Sequence, residues 1–267
     1  MMIRNLPDQT KAAVACGLSL AGLLWALFAS LLLPVPEALE LIAPMGIWTA
    51  LWFAVLGTAA AYSLWQTRPG VCGKGLHRQI RTPVVLACLL QGLWIQFWPV
   101  GTVLVELGVL LGQSLLLVWI LYTIDHAGLP DRADRWMTRL TFGLWGGWLV
   151  AILLMTAVAY GVELGFKINE PTFKIVVSLV VLLSALALCA LSFRNPVGIY
   201  LNVAALWSVC WVAVERYVSA HEASLVAVVC SIAAGLMFLC LLLALRQRLS
   251  LKFAAPADSN GTSQGET

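Results

Sequence analysis

Eight of the twelve tryptophans fall in close pairs: Trp48/Trp52, Trp94/Trp98, Trp145/Trp148 and Trp207/Trp211. Spacings of three and four put both rings of a pair on one face of a helix. Indole rings presented this way can stack on a planar apolar ligand while their N–H groups fix a polar substituent. The same rings could instead pack helix on helix, or mark the interfaces of a bilayer, where tryptophan is enriched. Glu106 stands inside the apolar run Val-Leu-Val-Glu-Leu-Gly-Val-Leu. Placing a carboxylate in a membrane costs roughly 3 kcal/mol on insertion scales, so it faces the protein interior or water. It is a candidate ligand contact or proton carrier, or a group reaching toward the surface.

Other chemistry is largely excluded. No HExxH, GxSxG or glycine-rich phosphate loop is present. His77 and His126 fall in loops on one side and His221 on the other, which argues against a haem held by paired axial histidines and against a zinc protease. Asp125, Asp131 and Asp134, interleaved with Arg132 and Arg135, read as a solvated charged loop. The seven cysteines are odd in number and lack a CxxC; six lie in apolar runs as small hydrophobes. No catalytic residue and no metal site is expected. Gln91, Gln113 and Asn202 are expected to hydrogen-bond between helices, and Gly108-x-x-x-Gly112 to bring two helices close, within the chain or, as the alternative, at a homodimer face.

The elements that must carry these residues follow from composition. The chain has 267 residues, 61% hydrophobic and only 11% charged, with mean hydropathy +0.91. A soluble domain is about a quarter charged, so this is a polytopic membrane protein. Net charge is +3, and the basic residues are scattered, leaving no basic face for nucleic acid. The fold class is an all-α bundle of eight membrane-spanning helices near 12–34, 41–66, 82–98, 101–124, 138–161, 173–193, 196–215 and 223–245. They form one transmembrane domain, 12–245, between an N-terminal segment, 1–11, and a polar tail, 246–267, expected to be disordered. The first run is too long for a signal h-region and reads as a retained span. Trp98-Pro99-Val100-Gly101 and Asn195-Pro196 read as tight connections, and Pro44 as a helix start. With the N-terminus in the cytoplasm, 13 of the 16 Lys and Arg residues face inward. Both termini are then cytoplasmic, and the expected location is a bacterial inner membrane. In that frame Trp48, Trp52, Trp94 and Trp207 lie in the outer half of the bilayer and Trp148 near its middle.

Four stretches resemble the long, eight-span relatives of the TspO/MBR family, the tryptophan-rich sensory proteins. They are Ala43-Pro-Met-Gly-Ile-Trp48-Thr-Ala-Leu-Trp52, Leu89-Leu-Gln-Gly-Leu-Trp94, Arg139-Leu-Thr-Phe142-Gly-Leu-Trp145-Gly-Gly147-Trp148 and Arg194-Asn-Pro-Val-Gly-Ile-Tyr200 with Trp207. Together they span about residues 40 to 215. Gln91 stands where the family usually has Asn, Thr141 where it has Pro, and Asn195 where it has Asp; the Asn usual one turn after Trp148 is absent. The resemblance implies binding of porphyrins or other flat lipophilic ligands, so a tetrapyrrole is the expected ligand.

The expected function is therefore non-catalytic binding of such a ligand. Trp48, Trp52, Trp94 and Trp207 would form the walls, Trp148 the floor, and Glu106 a polar contact. The expected partners are the lipid bilayer, a lipophilic small molecule and, for a loose dimer, a second copy of the chain. A small-molecule permease, a membrane enzyme using Glu106, and an assembly scaffold stand as alternatives. The absence of a helix broken by a Gly/Pro pair counts against the permease.

Overall fold

The computed structural model describes residues 7–32, 48–97, 103–127, 131–167, 170–219 and 225–254. Among these, eight helices follow one another: α1 (Asp8–Leu32), α2 (Trp48–Trp65), α3 (Gly75–Phe97), α4 (Val103–His126), α5 (Arg132–Glu163), α6 (Pro171–Arg194), α7 (Pro196–Ser219) and α8 (Leu225–Ala254). Seven are long and apolar enough to cross a membrane, and α2 is a shorter apolar helix in its described part. The expected start of the second span at 41, Pro44, and the Trp98–Gly101 connection lie outside the described residues.

Several boundaries move. Helix α3 begins at Gly75 rather than near 82 and contains Pro83, while α5 begins at Arg132 rather than near 138. Both extensions are polar, and both are drawn inward by contacts described below. At its far end α8 continues through Arg246 and Arg248 to Ala254, past the expected end at 245. Arg, Gln, Leu and Lys are good helix formers, so the helix need not stop where the apolar run stops. Of the tail expected over 246–267, only this helical part is described.

The connection between α6 and α7 is a single residue, Asn195. Its side-chain Oδ1 accepts the Val197 N–H at 2.9 Å, and Pro196 occupies the first helical position. In the α2–α3 loop, Gly70 has φ of 78°, a left-handed conformation that favours glycine.

Contacts between helix ends define an up-and-down bundle. Arg78 at the start of α3 pairs with Asp8 at the start of α1, 3.6 Å apart. Trp65 at the end of α2 donates to Asp134 at the start of α5 at 2.9 Å. Arg248 near the end of α8 donates to the Ser192 carbonyl near the end of α6 at 3.2 Å. The ends carrying Lys74, Arg78, Arg139 and Arg248 are thus the same end of the bundle. These are segments that the charge bias assigns to one side.

A large core joins α1 to α5 and part of α7, and a smaller one joins α6, α7 and α8. Outside them, α4 presents Leu111, Leu115 and Val118, α6 presents Leu179 and Leu183, and α8 presents Phe238 and Leu239. Apolar faces of this extent are what hydrocarbon, not water, accommodates.

Close helix approach does not occur at Gly108, where an added Cβ would meet open space. It occurs instead where Gly22 faces the Cys88 carbonyl and where Gly143 and Gly147 of α5 face Tyr200, Leu201 and Ala204 of α7. A Cβ on Gly147 would stand 2.8 Å from the Ala204 Cβ and 3.0 Å from the Leu201 carbonyl carbon. Gly147→Ala is therefore expected to destabilise the bundle by about 2–3 kcal/mol through overpacking. Gly57→Ala, where nothing lies within 4 Å, should be neutral or stabilising by up to about 1 kcal/mol. Thermal unfolding followed by maleimide-dye capture of the buried cysteines Cys16, Cys72, Cys88, Cys189 and Cys230 compares the two.

Candidate functional site

Three of the tryptophans singled out by spacing meet in the core. Trp52 on α2, Trp94 on α3 and Trp148 on α5 are all buried. Their ring centroids are 6.1 Å apart for Trp52–Trp94, 4.9 Å for Trp52–Trp148 and 5.5 Å for Trp94–Trp148. Two of the pairs are edge-to-face and the third is tilted by 33°, arrangements favoured by the ring quadrupole.

One turn back from Trp94 and Trp148 lies an amide network. Gln91 Oε1 accepts from Gln113 Nε2 at 2.6 Å and from Trp145 Nε1 at 3.1 Å. Gln113 also reaches the Ala87 carbonyl at 3.4 Å. All three side chains are buried, and Gln91 Nε2 and Gln113 Oε1 have no hydrogen-bond partner. The Gln91 carbonyl is thus shared by two donors. A free donor and a free acceptor remain in the apolar interior, beside the indole cluster. Nearby, Thr141 Oγ1 donates to the Thr58 carbonyl of α2 at 3.2 Å, a bond that proline could not make.

The remaining expected site residues are placed differently. Trp48 opens α2, but its side chain lies outside the described residues. Glu106 is buried, with 3% of its surface exposed, in the first turn of α4. It shares the inward face of that helix with Leu110 and Gln113, about 10 Å from Gln113 along the axis. Its electrostatic neighbour is Glu163 at the end of α5. Trp207 pairs with Trp211, centroids 6.1 Å apart, and leaves 39% of its surface exposed; it is not gathered with the other three. Trp119 and Trp136 are exposed, as interface residues would be.

A second cluster sits at the basic end of the same three helices. Tyr62 of α2 hydrogen-bonds His77 Nδ1 of α3 at 2.9 Å, and His77 Nε2 faces Asp134 Oδ1 of α5 at 3.5 Å. Asp134 also accepts from Trp65 Nε1, and Lys74 pairs with both Asp134 and Asp131. Those two carboxylates hold the Lys74 ammonium above the ordinary lysine value, Asp131 contributing most. Arg81, one turn after His77, donates to the Cys72 carbonyl at 2.8 Å, and Gln66, one turn after Tyr62, is fully buried. The expectation that Asp134 belongs to a solvated loop is thus overturned, as is the placing of His77 in a loop. Asp134 retains 1% exposure, and His77 none, within a helix. The cause is mutual: Asp134 in the first turn of α5 is favoured by the helix N-terminus and by two donors, Trp65 at the end of α2 and Lys74 in the following loop, with His77 of α3 facing it. The i, i+4 pairs Tyr62/Gln66 and His77/Arg81 were the signal available in the sequence. Among the described residues no group of three His, Cys, Asp or Glu side chains is placed to hold a metal ion.

A family described as TSPO-like protein matches residues 37–243. The chain belongs to that family. No curated protein and no solved structure matches it. The match takes in α2 to α7 whole, and with them both clusters. In this TSPO-like protein the resemblance read from the tryptophan segments is thereby established, and so is its standing as a multi-pass membrane protein.

Proposed function

We propose that this TSPO-like protein is a non-catalytic binding protein for a flat lipophilic ligand of the tetrapyrrole kind, held at the Trp52–Trp94–Trp148 cluster. Its place would be a bacterial inner membrane, with the basic end and both termini in the cytoplasm. The observation that carries the reading is the meeting of three buried indoles from three helices beside the amides of Gln91 and Gln113. A planar ring system would enter by parting the tilted Trp52–Trp148 contact by one ring thickness. Its apolar faces would exchange one aromatic contact for another, and a polar edge would take up the unpartnered Gln91 N–H and Gln113 carbonyl. Glu106 lies further along the same inward face of α4 and would meet a cationic or protonated substituent.

The test is a titration of the detergent-purified protein with protoporphyrin, following tryptophan quenching and the porphyrin absorption band. Saturation near one equivalent is expected, with the half-saturation concentration raised about tenfold in Gln91→Leu and in Trp94→Phe. Linear quenching, equal in all three proteins, would mean micelle partitioning and would sink the proposal.

A further inference from the structure

A third group of residues, apart from both clusters, gathers at the basic end where α5 and α8 meet the α6–α7 corner. Arg139 of α5 stands within electrostatic reach of Arg248 of α8, of Arg135 one turn earlier, of Tyr200 of α7 and of Asp125 at the end of α4. The corner itself is rigid. Ser192 Oγ donates to the Gly198 carbonyl at 3.1 Å, and Gly143, one turn after Arg139, packs on the Cβ of Tyr200. Arg248 is pinned there by the bond from its Nη2 to the Ser192 carbonyl. Arg139 has its Nε buried without a hydrogen-bond partner. Among the described residues no carboxylate comes within the 4.0 Å of an ion pair with Arg139 or Arg248. Asp125, the carboxylate nearby, is exposed.

Two guanidiniums on different helices, within electrostatic reach of each other, both half-buried and one with a buried unused N–H, have no ion-pair partner among the described residues. Partly buried cations without an anion are costly. Guanidinium is planar and presents parallel N–H pairs that match the oxygens of a phosphate. The group also lies at one end of a bundle of membrane-spanning helices, and basic pockets between such helices take anionic headgroups.

We propose that Arg139 and Arg248, flanked by Tyr200, form a binding site for a phosphate group, presented by an anionic phospholipid of the leaflet at that end. A free phosphate would offer the same oxygens, and the test separates the two sources. The full chain in neutral detergent is titrated with phosphatidylglycerol, with phosphatidylcholine and with inorganic phosphate, and its thermal unfolding is followed. Phosphatidylglycerol is expected to raise the midpoint saturably and phosphatidylcholine not to. Arg139→Gln/Arg248→Gln should raise the half-saturating lipid concentration at least about tenfold. Arg68→Gln, which removes a basic residue stacked on Trp65 in the α2–α3 loop, should leave it unchanged. An equal stabilisation by inorganic phosphate, lost in the double variant, supports the phosphate site and assigns it to the soluble anion. If the double variant responds as the unaltered protein does, or Arg68→Gln weakens the response equally, only diffuse surface charge is at work and the site is refuted. Should the Gln pair fail to fold, Arg139→Lys/Arg248→Lys keeps both charges but not the parallel N–H pairs. It is expected to weaken the response severalfold, and no weakening would overturn the assignment.

Discussion

Asp134→Ala is expected to cost the protein about 3 kcal/mol of stability, the lower end of the range for removing one partner of a buried ion pair. Asp134 is almost wholly buried and takes contacts from Trp65, Lys74 and His77, which come from α2, the following loop and α3. The substitution leaves the Trp65 indole N–H without an acceptor and Lys74 with only Asp131. The low end applies because Lys74 keeps 29% of its side chain exposed, so its charge stays partly hydrated. Asp134→Asn keeps an acceptor for Trp65 and should lose about half as much. Asp131→Ala removes a carboxylate that is 60% exposed, and its effect should stay within about 0.5 kcal/mol. Thermal unfolding of the three variants checks the order. Equal losses for Asp131→Ala and Asp134→Ala would show that burial of Asp134 contributes nothing.

Trp148→Ala should be comparably damaging, by about 3 kcal/mol, and should also abolish saturable porphyrin binding. Large-to-small changes at buried tryptophans cost about 3–5 kcal/mol in soluble cores. The low end is expected here, because lipid tails are as apolar as the protein interior and the loss is one of packing. Trp148 touches both Trp52 and Trp94, so one truncation opens both contacts. Trp207→Ala is the comparison: its ring is partly exposed and meets Trp211, so stability should change by less than about 1 kcal/mol. Full porphyrin binding by Trp148→Ala would remove the cluster from the proposed function.

The two variants probe opposite stretches of the same three helices. Trp52 and Tyr62 are both on α2, Trp94 and His77 on α3, Trp148 and Asp134 on α5. Tyr62 and Trp52 are about 15 Å apart along α2 at the usual helical rise. The polar cluster therefore fixes the relative height of the helices that bring the indoles together. A slip of one turn at either stretch would separate the partners at the other.

Helix number, the apolar runs and the pairing of tryptophans on helix faces were legible in the sequence, because each depends on local spacing and composition. Gln91, a polar residue in an apolar run, reads as an interhelical hydrogen-bonder, and it bonds to α4 and α5. Family membership followed from the tryptophan segments for the same reason: they are contiguous stretches. Which tryptophans meet was not legible. Trp52, Trp94 and Trp148 come together because α2, α3 and α5 converge, while Trp207, paired at helical spacing with Trp211 just as they are with their neighbours, is left partly exposed on α7. Asp134 shows the limit most clearly. Its neighbours Arg132 and Arg135 made the segment read as solvated, since local charge pattern is all that a sequence offers there. Its partners lie 57 to 69 residues away in Trp65, His77 and Lys74, and only the packing of α5 against α2 and α3 supplies them. Buried charge is stable when its partners are present, and partners that distant in sequence are decided by tertiary structure alone.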